Sequence, residues 1–297
     1  MKSPLLPDSA ARRAPLRAQV TRVVRLAAHL LTMRLGVTRR RGRPAATVHP
    51  RQAGQWAARM LDILDVRPVV TGHVPAPGEA VLIVANHISW LDVQALGAVT
   101  GARFVAKSDI RRWPVVGTVA AHCGTVFLKR GSCRDAWRAK NTVANTLRTG
   151  DAVAVFPEGT TTDGRRVEPF RAALLQAAVD ARTRVHPVAI RYQTANRTGN
   201  GPAAFVDDMN FLASLWRVVR EPLMAVHLHF GPPLSARNRT RRELAAVAQL
   251  TVVEALARAT DDPLRAALQP TPVPERRAGG TPAHPSMRPP AQAPAAA

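Results

Sequence analysis

Acidic residues are scarce in this sequence. Against 42 Lys and Arg there are 20 Asp and Glu, which leaves a net charge of +22 over 297 residues. Such a chain meets something acidic: a nucleic acid, an anionic bilayer or a phosphorylated substrate. Aromatics are also few, 4% of the chain, which leaves little for the stacking platforms of single-strand binding. Neither a zinc-finger spacing nor an RNP-like block occurs, so a nucleic-acid-binding reading rests on charge alone. Cysteine is nearly absent. Cys123 and Cys133 make neither a CxxC pair nor a disulfide framework, and they point to a reducing compartment. No GxSxG elbow supports a serine hydrolase, and nothing marks Ser132 or Cys133 as activated. No run approaches the roughly 18 apolar residues of a spanning helix, and residues 1–19 lack the apolar stretch of a signal peptide.

What is present is an alternation. Short apolar runs read as strands: VLIVA (81–85), ARFVA (102–106), TVFL (125–128), AVAVF (152–156), RVHPVAI (184–190) and MAVHLHF (224–230). Helical patterns such as Ser132 to Leu147 and Phe170 to Ala181 fall between most of them, and Arg239 to Ala259 is a late helix. Near-continuous apolar strands separated by helices predict an α/β fold with a largely parallel central sheet flanked by helices.

Ahead of it, residues 16–36 read as a helix with apolar positions at Val20, Val23, Val24, Ala27, Leu30, Leu31 and Leu35, interrupted by Arg17, Arg22, Arg25 and Arg34. Two readings stand side by side: an amphipathic helix lying in the headgroup plane of a membrane, or a helix packed on its own domain. RRRGRP (39–44) reads as a charged linker and Gln52 to Val66 as a second helix. The expected organisation is a flexible basic leader (1–15), an N-terminal helical membrane-associating segment (16–64), a catalytic domain (65–268) and a disordered Pro/Ala-rich tail (269–297).

The chemistry gathers where strands end. In VANHISWLD, His87 follows the apolar run and Asp92 comes five residues later. On one regular helix the two would lie about 140° apart and could not meet. If His87 sits in the strand-to-helix turn and Asp92 in the first helical turn, the carboxylate can hold one imidazole nitrogen and leave the other free to take a proton. Ser89-x-x-Asp92 matches a helix-start capping box, which supports that placement and also offers a purely structural role for Asp92. VAVFPEGTTTDGRR (153–166) is a second strand end. Its Gly159 and threonines expose backbone N–H groups, and Arg165, Arg166 and Arg171 follow. Lys129 and Arg130, in GTVFLKRGS (124–132), mark a third, where Arg130 can fork onto a phosphate or stand as a solvated loop arginine.

NHISWLD resembles the NHxSxxD block of the glycerolipid acyltransferase superfamily, which includes the bacterial lysophosphatidic acid acyltransferases. FVAKSDIRRWPVVG (104–117), GTVFLKRG (124–131), VFPEGT (155–160) and VHPVAI (185–190) continue the resemblance in order, over roughly residues 65–230. It implies the glycerol-3-phosphate acyltransferase-like fold. It also implies acyl transfer from acyl-CoA or acyl-ACP to the hydroxyl of a lysolipid acceptor, most simply 1-acyl-sn-glycerol-3-phosphate. His87 would be the general base and Asp92 its orienting partner, with Lys107, Arg130, Glu158, Gly159 and Thr160 around the acceptor headgroup. No metal or other cofactor is required, and the expected surroundings are an anionic membrane surface at the cytoplasmic face of the inner membrane, with no nucleic acid. Thr161 stands where the commonest family form has the arginine of FPEGTR, and PFRAALL (169–175) lacks the glycine of FKxG. These departures also resemble members that acylate lyso-ornithine lipid.

Overall fold

The computed structural model describes residues 13–38, 48–129, 131–194, 197–198, 200–206 and 209–258. The predicted linker at 39–44 and tail at 269–297 lie outside them, as does Arg130. In chain order the elements are α1 (Leu16–Thr38), α2 (Pro50–Ile63), β1 (Val66–Gly72), β2 (Val81–Ala85), α3 (Leu91–Thr100), β3 (Arg103–Lys107), α4 (Val116–His122), β4 (Val126–Leu128) and α5 (Cys133–Arg148). They continue with β5 (Val153–Val155), α6 (Gln176–Ala181), β6 (Arg184–Thr194), β7 (Arg197–Thr198), α7 (Phe211–Arg220), β8 (Met224–Phe230), β9 (Leu234–Ser235) and α8 (Arg241–Arg258).

The sheet runs β1-β8-β6-β2-β5-β3-β4, with β7 and β9 also paired to β6. From β6 through β4 the neighbours are parallel, as the buried, unalternating strands require. β8 lies antiparallel to β6 and carries β1 parallel to itself at the edge. The α/β architecture with a largely parallel sheet flanked by helices is therefore the one the apolar runs predict. β2 is buried at all five positions. One core cluster joins Val81, Ile83 and Ala85 to Leu91, Leu96, Met60, Leu61, Leu26, Met33 and Val37. The opposite face of β2, through Leu82 and Val84, packs with Val143, Leu147, Leu175, Leu244 and Val252.

The N-terminal helices share this first core, so no boundary of packing separates 16–64 from 65–268. Residue 14 is anchored as well. Ala14 is buried and its N–H donates to Arg220 O, so the anchored chain begins ahead of the boundary expected at residue 15. α2 and α3 touch through small residues. A Cβ on Gly54 would stand 3.1 Å from Gly97 O, and one on Gly97 3.5 Å from the Ala57 methyl, so glycine permits this close approach.

α1 is turned inside out relative to its apolar stripe. Its buried side is Gln19, Arg22, Leu26, His29, Met33 and Val37, while Val20, Val23, Val24, Leu31 and Leu35 are exposed. Arg22 is 4% exposed and makes this arrangement possible. Its guanidinium pairs with Asp65 and donates to the carbonyls of Val219 (2.8 Å), Glu221 (2.5 Å) and Pro222 (2.8 Å). It thus ties α1 to the end of α7 and to the turn before β1. That turn lies at the same end of the sheet as the close of β2: Val66 pairs with Met224, Met224 with Thr194 at the end of β6, and β6 runs parallel to β2.

Replacing Arg22 by Ala leaves three carbonyls without this donor. It should lower stability by about 2–3 kcal/mol, the scale of hydrogen bonds to a charged group. A drop in the denaturant midpoint at unchanged slope is the expected reading.

Candidate active site

The end of β2 is held in place by Asn86. Its side chain behaves as a piece of backbone for β6: Nδ2 donates to Ile190 O at 3.0 Å and Oδ1 accepts from Ile190 N at 2.7 Å. The chain then leaves the sheet at His87 and enters α3 at Leu91. The capping geometry at this junction is the reach-back half of the predicted box. Asp92 Oδ2 accepts from Ser89 N (2.9 Å) and Ile88 N (2.7 Å), and Ser89 Oγ accepts from Leu91 N (3.2 Å).

The same Asp92 oxygen accepts from His87 Nδ1 at 2.8 Å. Capping and orientation are therefore one arrangement, not alternatives. The carboxylate side chain is fully buried, and an acceptor facing Nδ1 puts the proton on that nitrogen of the neutral ring. His87 keeps 19% of its side chain exposed, and no described residue hydrogen-bonds its Nε2. One face of the ring lies on Phe156, with centroids 3.9 Å apart and planes 12° from parallel. The imidazole is thus fixed by a stack and a hydrogen bond, with the second nitrogen open.

β5 ends beside it. Pro157 opens a turn in which Gly159 N donates to Phe156 O, and Gly159 has φ +74, a conformation that favours glycine. A Cβ there would also stand 3.3 Å from the Arg171 guanidinium. Glu158 is 2% exposed and staples the two loops together: Oε1 accepts from His87 N (2.6 Å), Oε2 from Glu168 N (2.8 Å). Burial raises its carboxyl above the ordinary range, while these two amides oppose that shift. The family resemblance implies a place for Glu158 at the acceptor headgroup; in the structure both its oxygens accept from backbone amides. Thr162 N donates to His87 O at 2.9 Å, a third tie between the loops.

A concavity of about 360 Å³ opens here, lined by Glu158, Thr160, Thr162, Glu168, Pro169 and Arg171. Lys107 is not among these residues; it closes β3 and its ammonium pairs with Asp109 at 2.6 Å, both half exposed. A larger hollow of about 500 Å³, lined by Arg182, Arg184 and Arg237 among others, lies where β6 begins, away from the strand ends that carry His87. Trp90 packs beside the site, with its ring against Phe211 and Nε1 donating to Ser214 Oγ at 3.2 Å.

One site residue escaped the sequence reading altogether. Tyr192, on the stretch of β6 beyond the predicted run, donates its hydroxyl to Asp92 Oδ1 at 2.6 Å. Alternation past Ile190 (Arg191 and Gln193 half-buried, Tyr192 and Thr194 buried) was the available signal.

A family model described as Acyltransferase matches residues 67–191. The chain is 35% identical over 238 residues to the lyso-ornithine lipid O-acyltransferase of Pseudomonas aeruginosa, covering 79% of this chain and 91% of that protein. It is 39% identical over 173 residues to the 1-acyl-sn-glycerol-3-phosphate acyltransferase of Neisseria meningitidis serogroup B, covering 58% and 67%. Among solved structures, the 1-acyl-sn-glycerophosphate acyltransferase of Thermotoga maritima superposes with a TM-score of 0.62 at 21% identity, over 83% of this chain and 96% of that one. That likeness concerns the fold.

Glu158→Gln tests the staple. An amide can accept from only one of the two backbone N–H groups and turns a donor toward the other. It should cost about 1–3 kcal/mol of stability and lower turnover, read by thermal unfolding together with initial rates.

Proposed function

Because this chain belongs to the glycerolipid acyltransferase superfamily, we propose that it is a lysolipid O-acyltransferase in which His87 acts as general base. The observation that carries this is the imidazole pinned at Nδ1 by Asp92 with Nε2 open. An alcohol attacks a thioester only as its proton finds an acceptor. Nε2 takes that proton while the acceptor oxygen bonds to the thioester carbonyl carbon. The C–S bond then breaks, and the departing thiolate recovers the proton from the imidazolium. Buried Asp92 stabilises the imidazolium between these two events. A thiolate leaves readily, so the step draws on no metal and no other cofactor, and acyl-CoA or acyl-ACP serves as donor substrate.

We assign 1-acyl-sn-glycerol-3-phosphate as the acceptor. Arg171 and the hydroxyls of Thr160 and Thr162 line the concavity beside His87, and exposed Arg165 and Arg166 add positive charge to the same loop. Arg130 belongs to this headgroup group by family resemblance. A second reading, lyso-ornithine lipid, is favoured by one feature of the same lining. Glu168 sets a carboxylate in the concavity with Arg171, and Thr161 stands in place of the family arginine. A carboxylate and a guanidinium suit a zwitterionic headgroup better than a phosphate dianion.

The reading extends to a membrane location, for which α1 is the support. No described helix is long and apolar enough to cross a membrane. Yet Val20, Val23, Val24, Leu31 and Leu35 face outward, with Arg17, Arg25 and Arg34 exposed among them. This is the composition of a helix lying in an anionic headgroup layer. We place the protein peripherally at the cytoplasmic face of the inner membrane, with α1 docked at the end of the sheet that carries His87.

A panel of purified lysolipids, each offered with one labelled thioester, tests the acceptor. Lysophosphatidic acid should be consumed fastest; consumption of lyso-ornithine lipid alone would transfer the assignment to the second reading. His87→Ala should lower kcat by about 100- to 10,000-fold, the usual contribution of a general base, with the unfolding midpoint little changed. Near-full turnover in that variant would remove the mechanism. Val24→Asp with Leu31→Asp should abolish co-sedimentation with anionic vesicles while leaving the far-UV CD spectrum intact; binding that survives places the docking surface elsewhere.

A further inference from the structure

We propose that Tyr192 is a positioning residue of this active site, its phenol fixing the Asp92 carboxylate so that the carboxylate in turn sets the orientation and charge balance of His87. The inference rests on His87 acting as general base, and its test reads the tyrosine apart from turnover. The distribution of donors around Asp92 is lopsided. Ile88 N, Ser89 N and His87 Nδ1 all converge on Oδ2. Oδ1 receives one hydrogen bond, from Tyr192 at 2.6 Å. Without it, a fully buried anionic oxygen would lack a partner. The carboxylate would then be free to turn about its own axis and exchange the oxygens that face the imidazole.

The tyrosine is itself immobilised. It is 1% exposed, it is paired with Val226 of β8, and its N–H donates to Asn200 Oδ1 at 2.8 Å. Burial, and secondarily the Asp92 charge, push the phenol well above its usual range, so it remains a donor at every working pH. Packing alone explains a phenylalanine at this position. The hydroxyl adds a polar atom to a core, and its partner is the one residue that orients the base.

Removing the hydroxyl changes what the imidazolium experiences. A carboxylate with one donor fewer concentrates its charge and holds the protonated ring more firmly. The base form then appears at higher pH. The other titratable groups nearby come from the loop after β5: Glu158, which accepts from His87 N, and Glu168, which donates its N–H to Glu158, with Arg171 over Gly159. None of these touches Tyr192 among the described residues, so Tyr192→Phe leaves their contacts unchanged.

The sequence offers an unusual probe, because Tyr192 is its only tyrosine. Growth on 3-fluorotyrosine labels this site alone in the full chain. The fluorine resonance should titrate with a midpoint matching the acid limb of kcat/KM, and the titration should vanish in His87→Ala. Tyr192→Phe should lower kcat by about 10- to 100-fold, the loss expected for a buried hydrogen bond to a charged group. Acceptor KM should hold, and the acid limb should move to higher pH. In an Asp92→Asn background the same substitution should cost nothing further, since both act through one carboxylate. A Tyr192→Phe enzyme with unaltered kcat and an unmoved acid limb overturns the proposal, as does a fluorine signal indifferent to pH across that limb. If Tyr192→Phe fails to fold, the fluorine titration decides alone. Should the fluorine signal titrate with His87 while His87→Ala retains full turnover, the general-base reading fails and the coupling between tyrosine and histidine survives.

Discussion

A carboxylate with no exposure to water is the constraint around which the site is organised. Asp92 sits at 0% exposure, and an isolated buried anion would be far too costly to keep. It is tolerated because four donors converge on it: two backbone amides, an imidazole and a phenol. Each donor comes at a structural condition. The amides require the chain to leave β2 and enter α3 within a few residues. The imidazole requires His87 to lie back toward the helix start. The phenol requires β6 to run on beyond its fully apolar stretch. Strand end, helix cap, imidazole and neighbouring strand are thereby bound into one polar cluster.

Glu158 repeats the solution one strand away, with a different outcome. It too is buried and fully used, yet its partners are backbone amides of the two loops that flank the site. Asp92 orients the imidazole proposed as the base; Glu158 fixes the separation of the two loops that flank it. That difference explains why two acidic residues at adjacent strand ends have unlike roles. In a chain with so few acids, both of these are committed to the site and neither to its surface.

Much of this was readable before any coordinates. β2 and β8 fall where the apolar runs place them, because strands buried on both faces need no alternation to be recognised. The His87–Asp92 pairing was readable from the capping signature, since the geometry that starts the helix also delivers the carboxylate. β1 was missed because it is an edge strand: Pro68 interrupts it and only Val66 is buried, so neither an apolar run nor a clean alternation marks it. α7 carried a legible signal that went unread: Asn210 caps its start and seven of its ten residues are apolar. Tyr192 was hidden by a boundary. The fully apolar part of β6 ends at Ile190, and the strand continues in half-buried alternation to Thr194. The headgroup roles of Lys107 and Glu158 rest on family resemblance, and a resemblance cannot show that the Lys107 ammonium pairs with Asp109 or that the Glu158 oxygens accept from backbone.

The orientation of α1 joins these parts. In water, burying Arg22 and His29 while exposing six large aliphatic side chains is an inverted choice, since each such side chain gains roughly 1.5–3 kcal/mol on leaving water. The inversion becomes reasonable with two solvents present. The polar side of α1 finds built partners in the protein: Asp65, the last carbonyls of α7, and Trp56 O for His29. The aliphatic side is left for a medium that welcomes it. Those partners stand at the end of the sheet where β2 delivers His87. On the proposed location, a lipid hydroxyl at the bilayer surface would approach the sheet from the end that carries the open Nε2. On the proposed peripheral location, the burial of one arginine decides which end of the sheet would face the bilayer and where an acyl acceptor would enter.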